Sequence, residues 1–173
     1  MKKFVVVAAV SAALYGGVAF AANDGLEGTT STGDFKVDLQ VGNLVVVSHL
    51  DDLTLGQYDS TNGNLASETF CIGQNNNNNV YITVSSASSA AGFNLVGNLP
   101  ASPLIPYAVA WKNGIGGTAL PVADGSPIDA GLVNKQNLTC ANDNIALQVS
   151  VASGVSAPQD YYSDVISVQV AAQ

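Results

Sequence analysis

The only histidine of the chain, His49, directly follows Ser48 and lies two residues before Asp51. Serine, histidine and aspartate are the components of a nucleophilic triad. The apolar run before them, Leu44–Val47, predicts a β-strand, and successive side chains of a strand point to opposite faces. Ser48 and His49 therefore cannot meet. We predict no catalytic residue and no enzymatic activity, and we expect His49 to cap a turn or to lie exposed.

Carboxylates and amides offer two further binding chemistries. Asp51, Asp52 and Asp59 carry the oxygen ligands that calcium prefers, but they are not spaced as in a D-x-D-x-D-G loop, which favours a solvated turn. Five consecutive asparagines, Asn75–Asn79, could bind a sugar through their amides; we interpret them instead as a flexible hairpin loop. We predict neither a metal site nor a bound cofactor.

The first 21 residues have the pattern of a signal peptide. Lys2 and Lys3 precede the apolar run Phe4–Phe20, and Ala19-Phe20-Ala21 has the small-x-small pattern of a cleavage site. The alternative is an N-terminal membrane anchor, but Gly16-Gly17 interrupts the run and no positive flank follows it. We predict that residues 1–21 are removed and that the protein is exported.

Charge and composition exclude several classes of protein. The formal net charge is −8 and arginine is absent, which excludes binding of nucleic acid through phosphate neutralisation. Hydrophobic residues make up 47% and charged residues 10%, so the chain can bury a core and is not a disordered acidic tail. No later segment reaches the roughly 18 apolar residues that cross a bilayer. We therefore predict no membrane insertion of the mature chain.

The two cysteines, Cys71 and Cys140, both follow the predicted signal peptide. An exported chain reaches a compartment in which disulfides persist, and neither cysteine belongs to a Cys-x-x-Cys motif. The alternatives are two free thiols or a redox pair. We predict one structural disulfide that closes a loop of about 70 residues and contributes roughly 3–5 kcal/mol in the loop-entropy description.

The mature chain shows the period-two alternation of strands almost throughout, and no segment of eleven residues keeps the helical period of 3.6. Turn residues separate about eight predicted strands, at spacings typical of a β-sandwich. Residues 112–134 are rich in Gly, Pro, Ala and Asp and predict a long connection. The predicted strands include Phe35–Val41, Leu44–Val47, Leu53–Tyr58, Val80–Val84, Phe93–Val96, Ile105–Trp111, Ile145–Val151 and Ile166–Val170.

The N-terminal strand has an unusual position. Phe35, Val37, Leu39 and Val41 alternate with polar residues, and the polar, glycine-containing segment 22–34 precedes them. The last predicted strand ends three residues before the end of the sequence. The N-terminal strand could pair within its own domain, or it could add to the sheet edge of another copy.

Five segments of the chain follow one another in the order of the motifs of one known family. They are the alternating strand Thr32–Leu39, Leu53–Asp59, Phe70-Cys71, the strand Tyr81–Val84, and Tyr162–Val170. In this order they resemble the first strand, the L-x-F-G-x-Y motif (with Leu55 in place of Phe), the cysteine, the strand after it and the closing strand of the spore coat U-type domain, the pilin subunit of archaic chaperone–usher pili. In the family, a cysteine near the end of the first strand pairs with the position of Cys71; here Val45–Val47 stand in that region, and the other cysteine is Cys140.

The resemblance implies an immunoglobulin-like β-sandwich that lacks its final strand. In such subunits a periplasmic chaperone fills the open groove first. At an outer-membrane usher, the N-terminal strand of the next subunit then replaces the chaperone. The resemblance thus implies a homopolymer of identical subunits, secreted through the periplasm to form a filament on the bacterial cell surface.

We therefore predict an all-β protein whose incomplete sandwich, residues 43–173, is completed by donor-strand exchange. The donor residues Phe35, Val37, Leu39 and Val41 lie in an N-terminal segment, residues 22–42. The expected function is that of a structural subunit of an extracellular filament, a pilus or biofilm fibre. The alternative is a secreted, monomeric adhesin or ligand-binding module in which strand Phe35–Val41 closes its own sheet.

Overall fold

The structure is a computed structural model that describes residues 26–76, 78–88, 91–132 and 134–173. The predicted signal peptide, residues 1–21, lies outside them. The described residues contain no helix and form eleven strands. These are β1 (Val45–Ser48), β2 (Asn64–Gln74), β3 (Val80–Ser86), β4 (Asn94–Gly97), β5 (Ile105–Pro106), β6 (Ala108–Asn113), β7 (Ala119–Val122), β8 (Pro127–Asp129), β9 (Ile145–Val151), β10 (Tyr162–Ser163) and β11 (Ile166–Ala172).

The strands form three antiparallel sheets. The largest has the order β1-β2-β9-β6-β7, and the two smaller sheets have the orders β10-β4-β5 and β11-β3-β8. In the largest sheet Trp111 of β6 lies opposite Leu147 of β9, and both are buried. In β3, Val80, Ile82 and Val84 are fully buried, whereas Tyr81 between them is 46% exposed. β3 thus turns one apolar face to the interior, as period-two alternation requires.

A single core holds the sheets together. Its buried strand residues come from the five-stranded sheet and from β3, while Leu95 of β4 and Ile105 of β5 are partly buried against them. Trp111 and Phe70 are its largest fully buried members. Phe93 and Tyr107 meet in this core with their ring centroids 5.5 Å apart. The predicted all-β, sandwich-like fold is therefore confirmed.

Four predicted elements differ from the structure. The predicted strand Ile105–Trp111 is divided at Tyr107 into β5 and β6, which belong to different sheets. Leu53–Tyr58 forms no strand. Leu53 and Leu55 pack against the core without a backbone ladder. The Tyr58 hydroxyl holds the end of this segment, because it donates to the Ala152 carbonyl at 2.9 Å and accepts from the Val155 N–H at 2.8 Å. Residues 112–134 are not only a connection, since β7 and β8 form within them. Residues 35–41 form no strand in the single chain.

The predicted disulfide between Cys71 and Cys140 is present. Cys71 lies in β2, Cys140 lies in the segment before β9, and their Cα atoms are 5.8 Å apart. This segment runs close against β2, because the Gln74 N–H donates to the Gln136 carbonyl at 3.0 Å. A Cβ atom on Gly73 would lie only 2.2 Å from the Asn137 carbonyl oxygen, so the close approach requires glycine.

The chain divides into two units, Met1–Val41 and Gly42–Gln173. All eleven strands belong to the second unit. In the first unit, the described part begins at Leu26 and includes the four alternating apolar residues of the N-terminal segment.

Candidate functional site

Two strands at the edges of different sheets leave one side of their backbone without a ladder. β1 ends the five-stranded sheet and pairs only with β2, and β11 ends a three-stranded sheet and pairs only with β3. Within the described residues no ladder joins β1 to β11. Unpaired N–H and C=O groups along a strand edge are a template for an added strand.

The apolar face of β11 is only partly covered. Ile166, Val168 and Val170 are half-buried and pack against the core, while Ser167 and Gln169 between them are exposed. On β1, Val45 and Val47 are likewise half-buried against the core. We call the two free strand edges with these five half-buried side chains the open seam.

Most of the other edge strands contain proline, which has no N–H to donate to a ladder. The edge strands β5, β7 and β8 contain Pro106, Pro121 and Pro127. The edge strand β10 is only two residues long. β1 and β11 contain no proline, and β11 presents seven residues. The open seam is therefore the place on the described sheets where an added strand can form the longest ladder.

A partly buried polar cluster holds the start of β11 in place. The Asp164 carboxylate accepts the Ser86 hydroxyl at 2.5 Å and the Tyr107 hydroxyl at 2.6 Å. Burial, together with the hydrogen bond and the charge of Asp164, raises the pKa of Tyr107 well above its usual range. Tyr107 thus remains a hydrogen-bond donor at physiological pH, and it joins the core to the residues that lead into β11.

The other end of β11 is held by residues of Asn75–Asn79, which we call the asparagine loop. The Gln173 carbonyl, directly after β11, accepts the side-chain amides of Asn43 at 3.2 Å and of Asn78 at 3.3 Å. The prediction of a hairpin loop at Asn75–Asn79 is wrong, because the flanking strands β2 and β3 belong to different sheets. Asn75 and Asn78 bind backbone groups at this end of the open seam. With both ends of β11 held in place, its free edge is preorganised in the single chain.

The predicted donor residues are strongly exposed. Phe35, Val37, Leu39 and Val41 are 79%, 79%, 87% and 68% exposed. Between them, Lys36 and Asp38 form an ion pair of 2.9 Å between Nζ and Oδ1. The segment thus presents an uncovered apolar residue at every second position, separated by the polar residues Lys36, Asp38 and Gln40.

The histidine has an acidic partner that was not predicted. His49 Nδ1 lies 2.8 Å from Asp143 Oδ1, and Asp143 Oδ2 accepts the Thr69 hydroxyl at 2.9 Å. The hydrogen bond from His49 is the main reason why the pKa of Asp143 lies below its usual value. The Ser48 hydroxyl is buried and has no hydrogen-bond partner among the described residues. Ser48, His49 and Asp51 therefore do not form a triad.

Of the three acidic residues considered for calcium, Asp59 stabilises a local turn. Asp59 accepts the backbone N–H groups of Thr61 and Asn62 at 2.8 and 3.1 Å, and the side-chain amide of Asn62 at 2.9 Å. These bonds, above all the one from the Asn62 side chain, lower the pKa of Asp59. Within the described ranges, no three His, Cys, Asp or Glu side chains come together in a way that could hold a metal ion.

Two further findings concern membrane-spanning helices and similarity to known proteins. The part of the chain that the structure describes has no helix with the length and apolar character needed to cross a membrane. In comparisons with known proteins, neither a protein-family model nor a curated protein matches the chain.

Proposed function

We propose that the protein is a structural subunit of a secreted, extracellular filament on the bacterial cell surface. Residues 35–41 of one copy add as a strand to the open seam of the next copy. One observation carries this proposal. The same sequence contains a partly covered apolar strand edge, β11, and an uncovered segment, residues 35–41, whose apolar residues have the same period of two. The resemblance of the sequence to archaic pilin subunits supports it.

The two partners match in length. Phe35–Val41 and Ile166–Ala172 each span seven residues, and each places four apolar side chains on one face. At about 3.3 Å per residue, both extend roughly 20 Å. A donated strand can therefore form a ladder along the whole free edge of β11 while its apolar side chains complete the cover of the core.

The free energy available is sufficient for a stable joint. Burying an apolar side chain of this size contributes about 1.5–3 kcal/mol, so four of them contribute roughly 6–12 kcal/mol as an upper bound. The new ladder adds hydrogen bonds to backbone groups that otherwise bind only water. Because the donor and the acceptor are different surfaces of the same chain, the contact is heterologous and propagates into an open-ended filament.

The proposal implies helper proteins. An open seam on a free subunit exposes both apolar side chains and a strand edge, which favours aggregation before assembly. A periplasmic chaperone would cover the seam with a strand of its own, and an outer-membrane usher would exchange that strand for the segment of the next subunit. Both partners follow from the resemblance to pilin subunits.

One observation favours the alternative, a monomeric adhesin or ligand-binding module. Only Gly42, Asn43 and Leu44 separate Val41 from β1, and a connection of three residues is typical of hairpins. A chain that folds back in this way completes its own sheet. The mass of the native protein separates the two functions, since a filament subunit gives large assemblies and a closed module has the mass of one mature chain.

The deciding experiment removes the proposed donor segment. In native mass measurements, the full chain should form assemblies, and the chain without residues 22–41 should not. If the shortened chain assembled as the full chain does, exchange through this segment would be wrong. If the full chain were monomeric and the shortened chain unfolded, residues 35–41 would complete the sheet of their own chain, and the protein would be a closed, monomeric module.

A further inference from the structure

One side chain of the asparagine loop binds the short connection between the donor segment and the sandwich. The Asn75 side-chain amide donates to the Gly42 carbonyl at 2.8 Å, and its oxygen accepts the Leu44 N–H, also at 2.8 Å. The Asn75 N–H donates to the Leu44 carbonyl at 3.2 Å. The Asn75 side chain therefore satisfies two backbone groups within Gly42–Leu44, because it carries both a donor and an acceptor, and the Asn75 backbone satisfies a third.

The same loop binds the residue that follows β11. The Gln173 carbonyl accepts amide groups from Asn43 and Asn78, and the Gln173 N–H donates to the Asn79 carbonyl at 3.3 Å. We call the four residues Asn43, Asn75, Asn78 and Asn79 the asparagine clasp. It joins the start of β1, the end of β11 and the connection that carries the donor segment.

The connection held by the clasp is short. Val41 is the last donor residue and Val45 is the first residue of β1, so four residue steps of at most about 3.6 Å each separate their Cα atoms. In an assembled filament, the end of the donated strand would therefore lie within about 15 Å of the sandwich to which it belongs. Consecutive sandwiches must then be neighbours, and the direction of this connection sets the angle between them.

Gly42 is the position at which such a connection would bend most easily, because glycine accepts many backbone conformations. A Cβ atom built on Gly42 meets no atom within 4 Å, and its φ is not in the left-handed region. Neither space nor backbone geometry requires glycine here. The bonds from Asn75 to the Gly42 and Leu44 backbone are what restrict it in the single chain.

We propose that the asparagine clasp is a positioning device that makes the joint between consecutive filament subunits stiff. This inference rests on the proposed strand exchange and adds a specific role for these four asparagines. By fixing Gly42–Leu44 against the end of β11, the clasp restricts the connection through which a donated strand is joined to its own sandwich. Filament stiffness then depends on side-chain amides rather than on an apolar interface.

The test compares Asn75→Ala with two matched variants of the full chain. Asn142→Ala removes an exposed asparagine outside the clasp. Gly42→Ala restricts the backbone at the same joint without a steric clash. In the soluble chain, amide hydrogen exchange of Leu44 should accelerate at least tenfold in Asn75→Ala and stay unchanged in Asn142→Ala. In electron micrographs, the persistence length of Asn75→Ala filaments should fall at least twofold, and that of Gly42→Ala filaments should not fall.

The outcomes distinguish this inference from the proposed function. Faster exchange at Leu44 with unchanged filament stiffness would show that the clasp only stabilises the fold, and would overturn the inference while strand exchange stands. If the unmodified chain formed no filaments, the proposed function would fail and the inference with it. Should Asn75→Ala not fold, Asn75→Asp keeps the acceptor for Leu44 and loses only the donor to Gly42; the same twofold loss of stiffness is expected.

Discussion

Val170 lies opposite Ile82 in the β3–β11 ladder; Ile82 is fully buried, whereas Val170 is only half-buried. The same difference recurs between Val84 and Val168. The two strands of one ladder are thus covered to different extents, because β3 has a strand on both sides and β11 has one on a single side. A sheet that continued past β11 would remove the difference, which is why we place the added strand there.

We predict that loss of the disulfide weakens the fold without changing its architecture. Cys71→Ser should lower the free energy of unfolding by about 2–5 kcal/mol, since the unfolded chain is no longer constrained by a closed loop. The double variant Cys71→Ser/Cys140→Ser should resemble the single variant in differential scanning calorimetry. Two thiols that alkylate in the native, unmodified protein would contradict the bridge.

We predict that the cluster at the start of β11 makes stability fall in alkaline solution. The folded state raises the pKa of Tyr107 above its unfolded value of about 10. Its contribution is therefore fully present below pH 10 and is lost as the pH rises above that value. The loss should appear in denaturant unfolding of the unmodified protein as the pH is raised from about 10 to about 12, and it should be smaller in Tyr107→Phe.

The exposed Tyr161→Phe variant is the control for this measurement, since Tyr161 is 75% exposed. It should keep the alkaline loss of the unmodified protein. An equal loss in Tyr107→Phe would mean that other groups cause it and that the Asp164 cluster does not.

We predict that His49→Ala leaves filament assembly unchanged and lowers the free energy of unfolding by at most about 1 kcal/mol. The His49–Asp143 pair is solvent-exposed at the histidine, and exposed ion pairs contribute little. Asp52→Asn serves as the control for a change of charge in the same turn. Loss of a hydrolytic activity in His49→Ala, with the fold retained, would contradict the assignment of a non-enzymatic role.

Much of the fold follows from period-two alternation. It predicted β3, β9 and β11 because each of these strands has one face toward the core, so burial repeats in the sequence itself. The same pattern misassigned Leu53–Tyr58, where side-chain burial of Leu53 and Leu55 occurs without a backbone ladder. The pattern identifies an apolar face and does not identify the strand that pairs with it.

The contacts around the open seam were largely unpredictable from the sequence. Asp143 meets His49 across 94 residues, and no local pattern connects them. The run of asparagines predicted a polar loop, but its bonds to Gly42 and Gln173 depend on tertiary placement. The sequence offered one indication of these bonds, the amide groups of the asparagines. An amide side chain can bind a backbone group at the end of a strand in place of another backbone group.

The central claim concerns residues 35–41 as a donated strand, and two neighbouring substitutions test it most directly. Val37→Asp places a charge on the face that would be buried, where an unpaired charge costs several kcal/mol. Asp38→Asn changes the opposite face, which would stay in solvent. In electron micrographs of the extracellular fraction, Val37→Asp should show no filaments and Asp38→Asn should show filaments like those of the unmodified protein. Filaments of normal number and length in Val37→Asp would contradict the account.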